Sequence, residues 1–188
     1  KVVWTKQDVK DFLDTAYSEF KYRNVGLIAQ MAYEWCQRLG DMRVLKWSDV
    51  DLDMQKMHIE QSKRRAEVFL PISDELTEML VQQKQDFGFQ QYIAPQTKPI
   101  RGVYEPYTLF KLPKIARRIM KEAGLSDKLR LSDLRRTGTT EMVDAGVSMG
   151  NIMSVTGHAN PQSVKPYMKN TYTSAKLALN TRKQLTDT

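Results

Sequence analysis

The stretch Leu131-Ser132-Asp133-Leu134-Arg135-Arg136-Thr137, with Thr156-Gly157-His158 and Tyr167 downstream, decides the fold and its chemistry. Arg135, His158 and Tyr167 follow one another at spacings of 23 and 9 residues. The runs 134–144 and 149–155 have helical periodicity, and Gly146 and Gly157 stand where helices end. Arginine, histidine and tyrosine can together grip a phosphodiester, polarise it and attack it. Ser132 sits three residues before Arg135.

Charge points the same way. The chain has 188 residues and a net charge of +7. Residues 1–99 carry 14 Lys+Arg against 15 Asp+Glu, and residues 100–188 carry 15 against 7. The positive excess therefore lies wholly in the half with the opening motif, as expected of a surface that meets a polyanion. A basic face kept for solubility is the plainer reading of charge alone. The hydrophobic fraction of 41% suits a packed core rather than a disordered chain. No apolar run approaches the roughly 18 residues of a membrane helix, so no membrane partner is expected. One cysteine, Cys36, rules out a disulfide within the chain, and two histidines leave little for a structural zinc site. A reduced, cytoplasmic setting is the expectation, with Cys36 as a buried small hydrophobe.

Upstream, Thr5-Lys6-Gln7-Asp8 reads as a capping box. Val9, Phe12, Leu13, Ala16 and Phe20 then fall at helical spacing. A second helix is expected from Val25 to Cys36 and a short one near 40–45. The segments 47–53, 56–61 and 67–72 predict a three-stranded antiparallel sheet, with Pro71 ending the last strand. Ser73 caps a helix to about Lys84, residues 86–107 read as an irregular loop, and a helix resumes near Thr108 with Leu109 and Leu112 inward. Residues 160–170 read as a turn plus a short helix, and 173–184 as a last helix. The fold class is mainly α with a small three-stranded antiparallel sheet, one α+β domain over 1–188.

In order along the chain stand Gln37-Arg38-Leu39-Gly40-Asp41, Gln61-Ser62-Lys63-Arg64-Arg65, Ser132-Asp133-Leu134-Arg135, Gly157-His158 and Tyr167. With the strand triplet in the right gap, the chain resembles the catalytic domain of the tyrosine recombinases, the phage-integrase family. The resemblance covers nearly the whole sequence, and it implies the recombinase catalytic fold. It also implies a site-specific recombinase of a phage or mobile element, joining DNA through a 3′-phosphotyrosyl intermediate without cofactor, metal or ATP.

On that resemblance Arg38 and Arg135 hold the phosphate with paired, permanently charged hydrogen bonds. Lys63 is the general acid for the leaving 5′-oxygen, His158 binds the phosphate or orients the nucleophile, and Tyr167 attacks. Ser132 occupies the position of the family's His-x-x-Arg histidine; a hydroxyl can bond phosphate but is a poor base. Arg64, Arg65, Arg136 and Lys165 are the expected DNA contacts. The partner is a double-stranded recombination site, engaged by a homotetramer through the C-terminal segment 173–188, and a separate N-terminal DNA-binding domain is expected to precede this chain. The residues leave several alternatives open: ion pairs of Arg38 with Asp41 and of Arg135 with Asp133, Arg64 in place of Lys63, and Tyr172 in place of Tyr167. A recombinase-derived DNA-binding protein with weakened or no activity, favoured by Ser132, and a type IB topoisomerase are the competing functions.

Overall fold

The computed structural model describes residues 2–168 and 172–186. The chain begins with α1 (Lys6–Tyr17), whose capping box closes as expected: the Thr5 hydroxyl accepts from the Asp8 N–H, and the Asp8 carboxylate accepts from the Thr5 N–H. Two residues later α2 (Phe20–Glu34) starts, earlier than the sequence predicts. Phe20 therefore does not belong to the apolar stripe of α1. It is 56% exposed and stacks on Phe87 across 6.0 Å.

Helix α2 is the central beam. Val25, Ile28 and Met31 are fully buried, because α1, α5 and α6 cover it from different sides. Burying such side chains contributes about 1.5–3 kcal/mol each. Trp4, which no periodicity singles out, pins the N-terminal segment to the distal half. Its backbone N–H donates to the Thr137 hydroxyl at 3.1 Å and its indole N–H to the Arg130 carbonyl at 3.1 Å.

The turn α3 (Leu39–Met42) leads into the sheet. The three strands pair antiparallel in sequence order: β1 (Val50–Asp51), β2 (Lys56–Glu60) and β3 (Glu67–Pro71). The expected strand 47–53 shrinks to two residues. Trp47–Asp49 instead forms a 3-10 turn, because Asp49 folds back to the Lys46 N–H and the Trp47 indole donates to the Phe87 carbonyl. Alternation holds on the longer strands: Met57 opposite Leu70 and Ile59 opposite Val68 face the core.

Helix α4 (Asp74–Phe87) begins at its Ser73 cap and runs three residues past the expected end. The irregular stretch after it is tied down by buried amides. Asn24 donates to the Pro95 carbonyl, and Gln83 donates to Asn24 and to the Ile93 carbonyl. Helix α5 (Lys111–Glu122) starts after Leu109, which stays 59% exposed rather than inward. A 3-10 turn at Leu131–Asp133 then opens α6 (Leu134–Asp144), and α7 (Met149–Thr156) follows. Two 3-10 turns, Pro161–Ser163 and Lys165–Tyr167, replace the expected short helix. Residues 169–170 of that expectation lie outside the described residues. Helix α8 (Tyr172–Thr186) closes the chain, mostly exposed, with Leu177 resting on Gly146.

Candidate active site at the junction of four segments

Four segments converge where α2 ends. Cys36 takes a left-handed turn (φ 52°) that swings Gln37 inward and leaves Arg38 as the residue before α3. Helix α6 comes close enough to bring Arg135 to the same place, because Gly138 has no side chain. A Cβ there would lie 2.5 Å from the Tyr33 carbonyl and 2.7 Å from the Cys36 sulfur. Cys36 is buried, and burial pushes its thiol up to about 11, consistent with a packing residue.

Arg135 donates through Nη2 to the Thr156 carbonyl at 2.9 Å and lies 3.4 Å from His158 Nε2. Its Nη1 is buried without a hydrogen-bond partner. Burial first, then the charge of Arg38, push this guanidinium down to about 10, so it remains a cation at neutral pH. Arg38 is lowered too, by burial first, with Arg64 adding to it and Asp41 opposing. Among the described residues neither arginine forms an ion pair with Asp41 or Asp133. Asp41 instead accepts the Ser62 N–H at 3.0 Å and holds the β2–β3 turn against the site. An orphaned donor on a buried cation costs about 1–3 kcal/mol, and an anion reaching Nη1 would supply the acceptor.

His158 is buried, with Nδ1 2.7 Å from the Thr156 hydroxyl. Burial first, then Arg135, Arg64 and Arg38, push its imidazole down to about 4, so it is neutral at physiological pH. The Tyr167 ring lies 6.4 Å from the His158 ring and under the Arg136 guanidinium at 4.8 Å. Tyr172 opens α8 and is 82% exposed.

The remaining expected residues sit at the rim. Lys63 is exposed in the β2–β3 turn and makes no hydrogen bond or ion pair among the described residues. Arg64 is the residue of that turn that reaches the cluster: it donates to the Ser163 hydroxyl at 3.2 Å, and its charge acts on both Arg38 and His158. Arg65 folds back onto Glu60 at 2.9 Å. Lys165 is exposed beside Tyr167. Ser132 is exposed and does not hydrogen-bond to Arg38, Arg135 or His158. It lines a cavity of about 680 Å³ with Leu39, Lys114, Arg118 and Arg130. Among the described residues no three His, Cys, Asp or Glu side chains gather to hold a metal, and no helix is long and apolar enough to cross a membrane.

Two fully buried glutamines, not anticipated from the sequence, bolt the segments together. Gln61 donates to the Gln37 side chain at 2.6 Å and the Thr156 carbonyl at 2.9 Å, and its own amide oxygen faces Arg38 Nη1 at 3.4 Å. Gln37 donates to the Trp35 and Val155 carbonyls. Their only sequence signal is adjacency: one precedes Arg38, the other the Ser62–Arg64 turn. Gly157 is required by the same bolt. It has φ 71°, and a Cβ would lie 2.6 Å from the Gln61 amide oxygen. Gly157→Ala is expected to cost about 2–4 kcal/mol from the left-handed backbone plus the clash. A denaturant midpoint measures it, and pairing with Gln61→Ala should recover the clash part only.

A model of the phage integrase family matches residues 3–174. No curated protein matches the chain. Among solved structures, the XerA recombinase superposes with a TM-score of 0.76 at 18% identity, over 97% of this chain and 64% of that one. A lambda integrase dimer bound to a COC′ core site gives 0.71 at 23%, over 90% and 49%. The Tn1549 transposon integrase in complex with a circular intermediate DNA gives 0.76 at 15%, over 96% and 65%. At these identities the likeness is one of fold, and the chain spans 64% and 49% of the first two proteins' lengths.

Proposed function

The chain belongs to the phage integrase family, the tyrosine recombinases, and from that premise we propose that it cuts and rejoins DNA at a specific site through a covalent bond to Tyr167. The observation that carries this reading is the convergence of Arg38, Arg135, His158 and Tyr167 from four separate segments, with a buried Arg135 donor left for an anion. The two guanidiniums would grip the non-bridging oxygens and stabilise the charge built up as phosphorus becomes five-coordinate. Tyr167 forms the 3′-phosphotyrosyl bond while the P–O5′ bond breaks, and reversal by a 5′-hydroxyl rejoins the strand. Arg64, Arg136 and Lys165 then face DNA backbone, and Arg65, held by Glu60, contributes less.

A library of nicked duplexes with a randomised segment tests the reading without knowing the target. The expected result is a denaturation-resistant protein–DNA adduct formed in chelator. Salt-sensitive DNA binding with no adduct on any duplex would favour a DNA-binding protein without strand cleavage.

Lys63 remains the proposed general acid, since an exposed ammonium in a turn can swing onto the leaving oxygen, whereas Arg64 is held by Ser163. Lys63→Ala is expected to slow cleavage roughly 10²–10⁴-fold. A bridging 5′-sulfur, which leaves without a proton, should restore the rate. If instead Arg64→Ala shows the sulfur rescue and Lys63→Ala does not, the acid is Arg64.

Helix α8 is the proposed tetramer contact, with Leu179 and Leu185 exposed at 56% and 74%. Residues 187–188 of the expected segment lie outside the described residues. Deleting 173–188 should leave single-site adduct formation intact and abolish pairing of two sites in a gel-shift assay; unchanged pairing would remove this role.

A further inference from the structure

We propose that Thr156 is a positioning residue that locks His158 as its Nδ1–H tautomer, so that His158 Nε2 is the atom that takes the proton of Tyr167. The proposal rests on the strand-cleaving reading above. It answers the question raised by Ser132, which stands at the family histidine's position but is exposed and hydrogen-bonds to neither Arg135 nor His158.

The tautomer follows from the two ends of the ring. The Thr156 hydroxyl is 2.8 Å from the Ile152 carbonyl, which can only accept, so the hydroxyl proton points there. Its oxygen is then free to accept from His158 Nδ1 at 2.7 Å, so Nδ1 carries the hydrogen. At the far end, Nε2 is 3.4 Å from Arg135 Nη2, which can only donate, so Nε2 presents its lone pair. Two independent partners select one tautomer in the DNA-free protein, and a phosphate oxygen that draws Arg135 Nη2 off the long 3.4 Å contact frees the Nε2 lone pair for the Tyr167 proton.

The groups facing the ring leave few rivals as base. Arg135 on α6, Arg38 before α3 and Arg64 in the β2–β3 turn act on the ring, Arg136 lies over Tyr167, and all four are donors. Cys36 is a buried thiol, and burial keeps it protonated. Asp41 takes the Ser62 N–H on Oδ1 and keeps a buried, unpartnered Oδ2, but its charge acts on Arg38 and Arg135 and not on His158. His158 Nε2 is left, on a ring 6.4 Å from that of Tyr167. In the step itself the Tyr167 O–H proton passes to Nε2, the Tyr167 oxygen bonds phosphorus, and the leaving 5′-oxygen takes its proton from Lys63. Rejoining returns both protons.

The same arginines make the base conditional. Without DNA, burial and the charges of Arg135, Arg64 and Arg38 hold the imidazole at about 4, too low to take a phenolic proton efficiently at neutral pH. A phosphodiester bound among them offsets their charge and moves His158 back toward its ordinary value. Nucleophile activation is thereby coupled to DNA binding.

Histidine-ring ¹⁵N NMR and adduct kinetics test this together. The chain has two histidines, so His58→Gln, exposed on the outer face of β2, leaves His158 alone in the spectrum. The expected spectrum is Nδ1–H with a bare Nε2, no titration above pH 5, and an upward shift of that titration on adding duplex DNA. Thr156→Val should mix the tautomers and slow adduct formation at least tenfold at pH 7, with DNA affinity within twofold of wild type. Thr156→Ser should restore both. An Nε2–H ring in wild type, or Thr156→Val cleaving at the wild-type rate with its fold intact, overturns the proposal and leaves the strand-cleaving reading standing. A wild-type protein that forms no adduct while its ring is Nδ1–H removes the proton-acceptor role along with that reading, and leaves the tautomer lock.

Discussion

Tyr167→Phe is expected to abolish adduct formation on nicked duplexes, by at least about 10⁴-fold, with no loss of DNA affinity. The substitution removes one oxygen and keeps the ring under Arg136, the packing that holds the Lys165–Tyr167 turn. The two other candidate nucleophiles are poorly placed. Tyr172 is 82% exposed at the start of α8, and Cys36 is buried with its thiol raised to about 11. A nucleophile supplied by water would release free DNA ends rather than an adduct. Denaturing gels distinguish these results directly, and an adduct formed equally well by Tyr167→Phe would displace Tyr167 from the mechanism.

The second large effect separates activity from stability. Arg135→Met is expected to lower cleavage roughly 10³-fold or more, since a guanidinium on the transferring phosphate is worth that much. The same substitution should leave the melting temperature unchanged or raise it. Arg135 is a desolvated cation with an orphaned Nη1 and the like charge of Arg38 beside it. Apolar replacement of such a group is often neutral or stabilising. The bond it gives up is covered as well: the Thr156 carbonyl keeps the Gln61 donor at 2.9 Å when Arg135 Nη2 leaves. Arg135→Lys should be slow too, because one ammonium cannot replace the fork. Calorimetry on the same preparations checks the second half, and a marked loss of stability in Arg135→Met would mean that this arginine is chiefly structural.

Much of the fold could be read before the structure because its signals are local. The Thr5 capping box, the Ser73 cap, the glycines after α6 and α7, and the alternation on β2 and β3 each act within a few residues. The errors fall where a distant partner overrides a local pattern. Residues 47–53 look like a strand, yet Trp47 is pulled into a 3-10 turn by the Phe87 carbonyl. Phe20 fits the period of α1, yet it opens α2 and stacks on Phe87.

The site divides in the same way. Arg38, Arg135, His158 and Tyr167 stand in short motifs whose order alone suggests that they meet. Gln37, Gln61 and Thr156 carry no such mark, because their roles exist only between segments. The Gln61 bonds span 24 residues to Gln37 and 95 to Thr156. Neither could spacing decide which of three consecutive basic residues turns toward the cluster. The left-handed Arg65 (φ 54°) shapes that turn, and Arg64 is the one that reaches Ser163.

The central claim is a covalent bond between one tyrosine and a DNA 3′-phosphate. The most direct test is to trap the adduct on a nicked duplex, trim it with nuclease and protease, and sequence the modified peptide by mass spectrometry. A phosphonucleotide carried by Tyr167 is the predicted result. The same mass on any other residue, or no modified peptide from a protein that binds the duplex tightly, would contradict it.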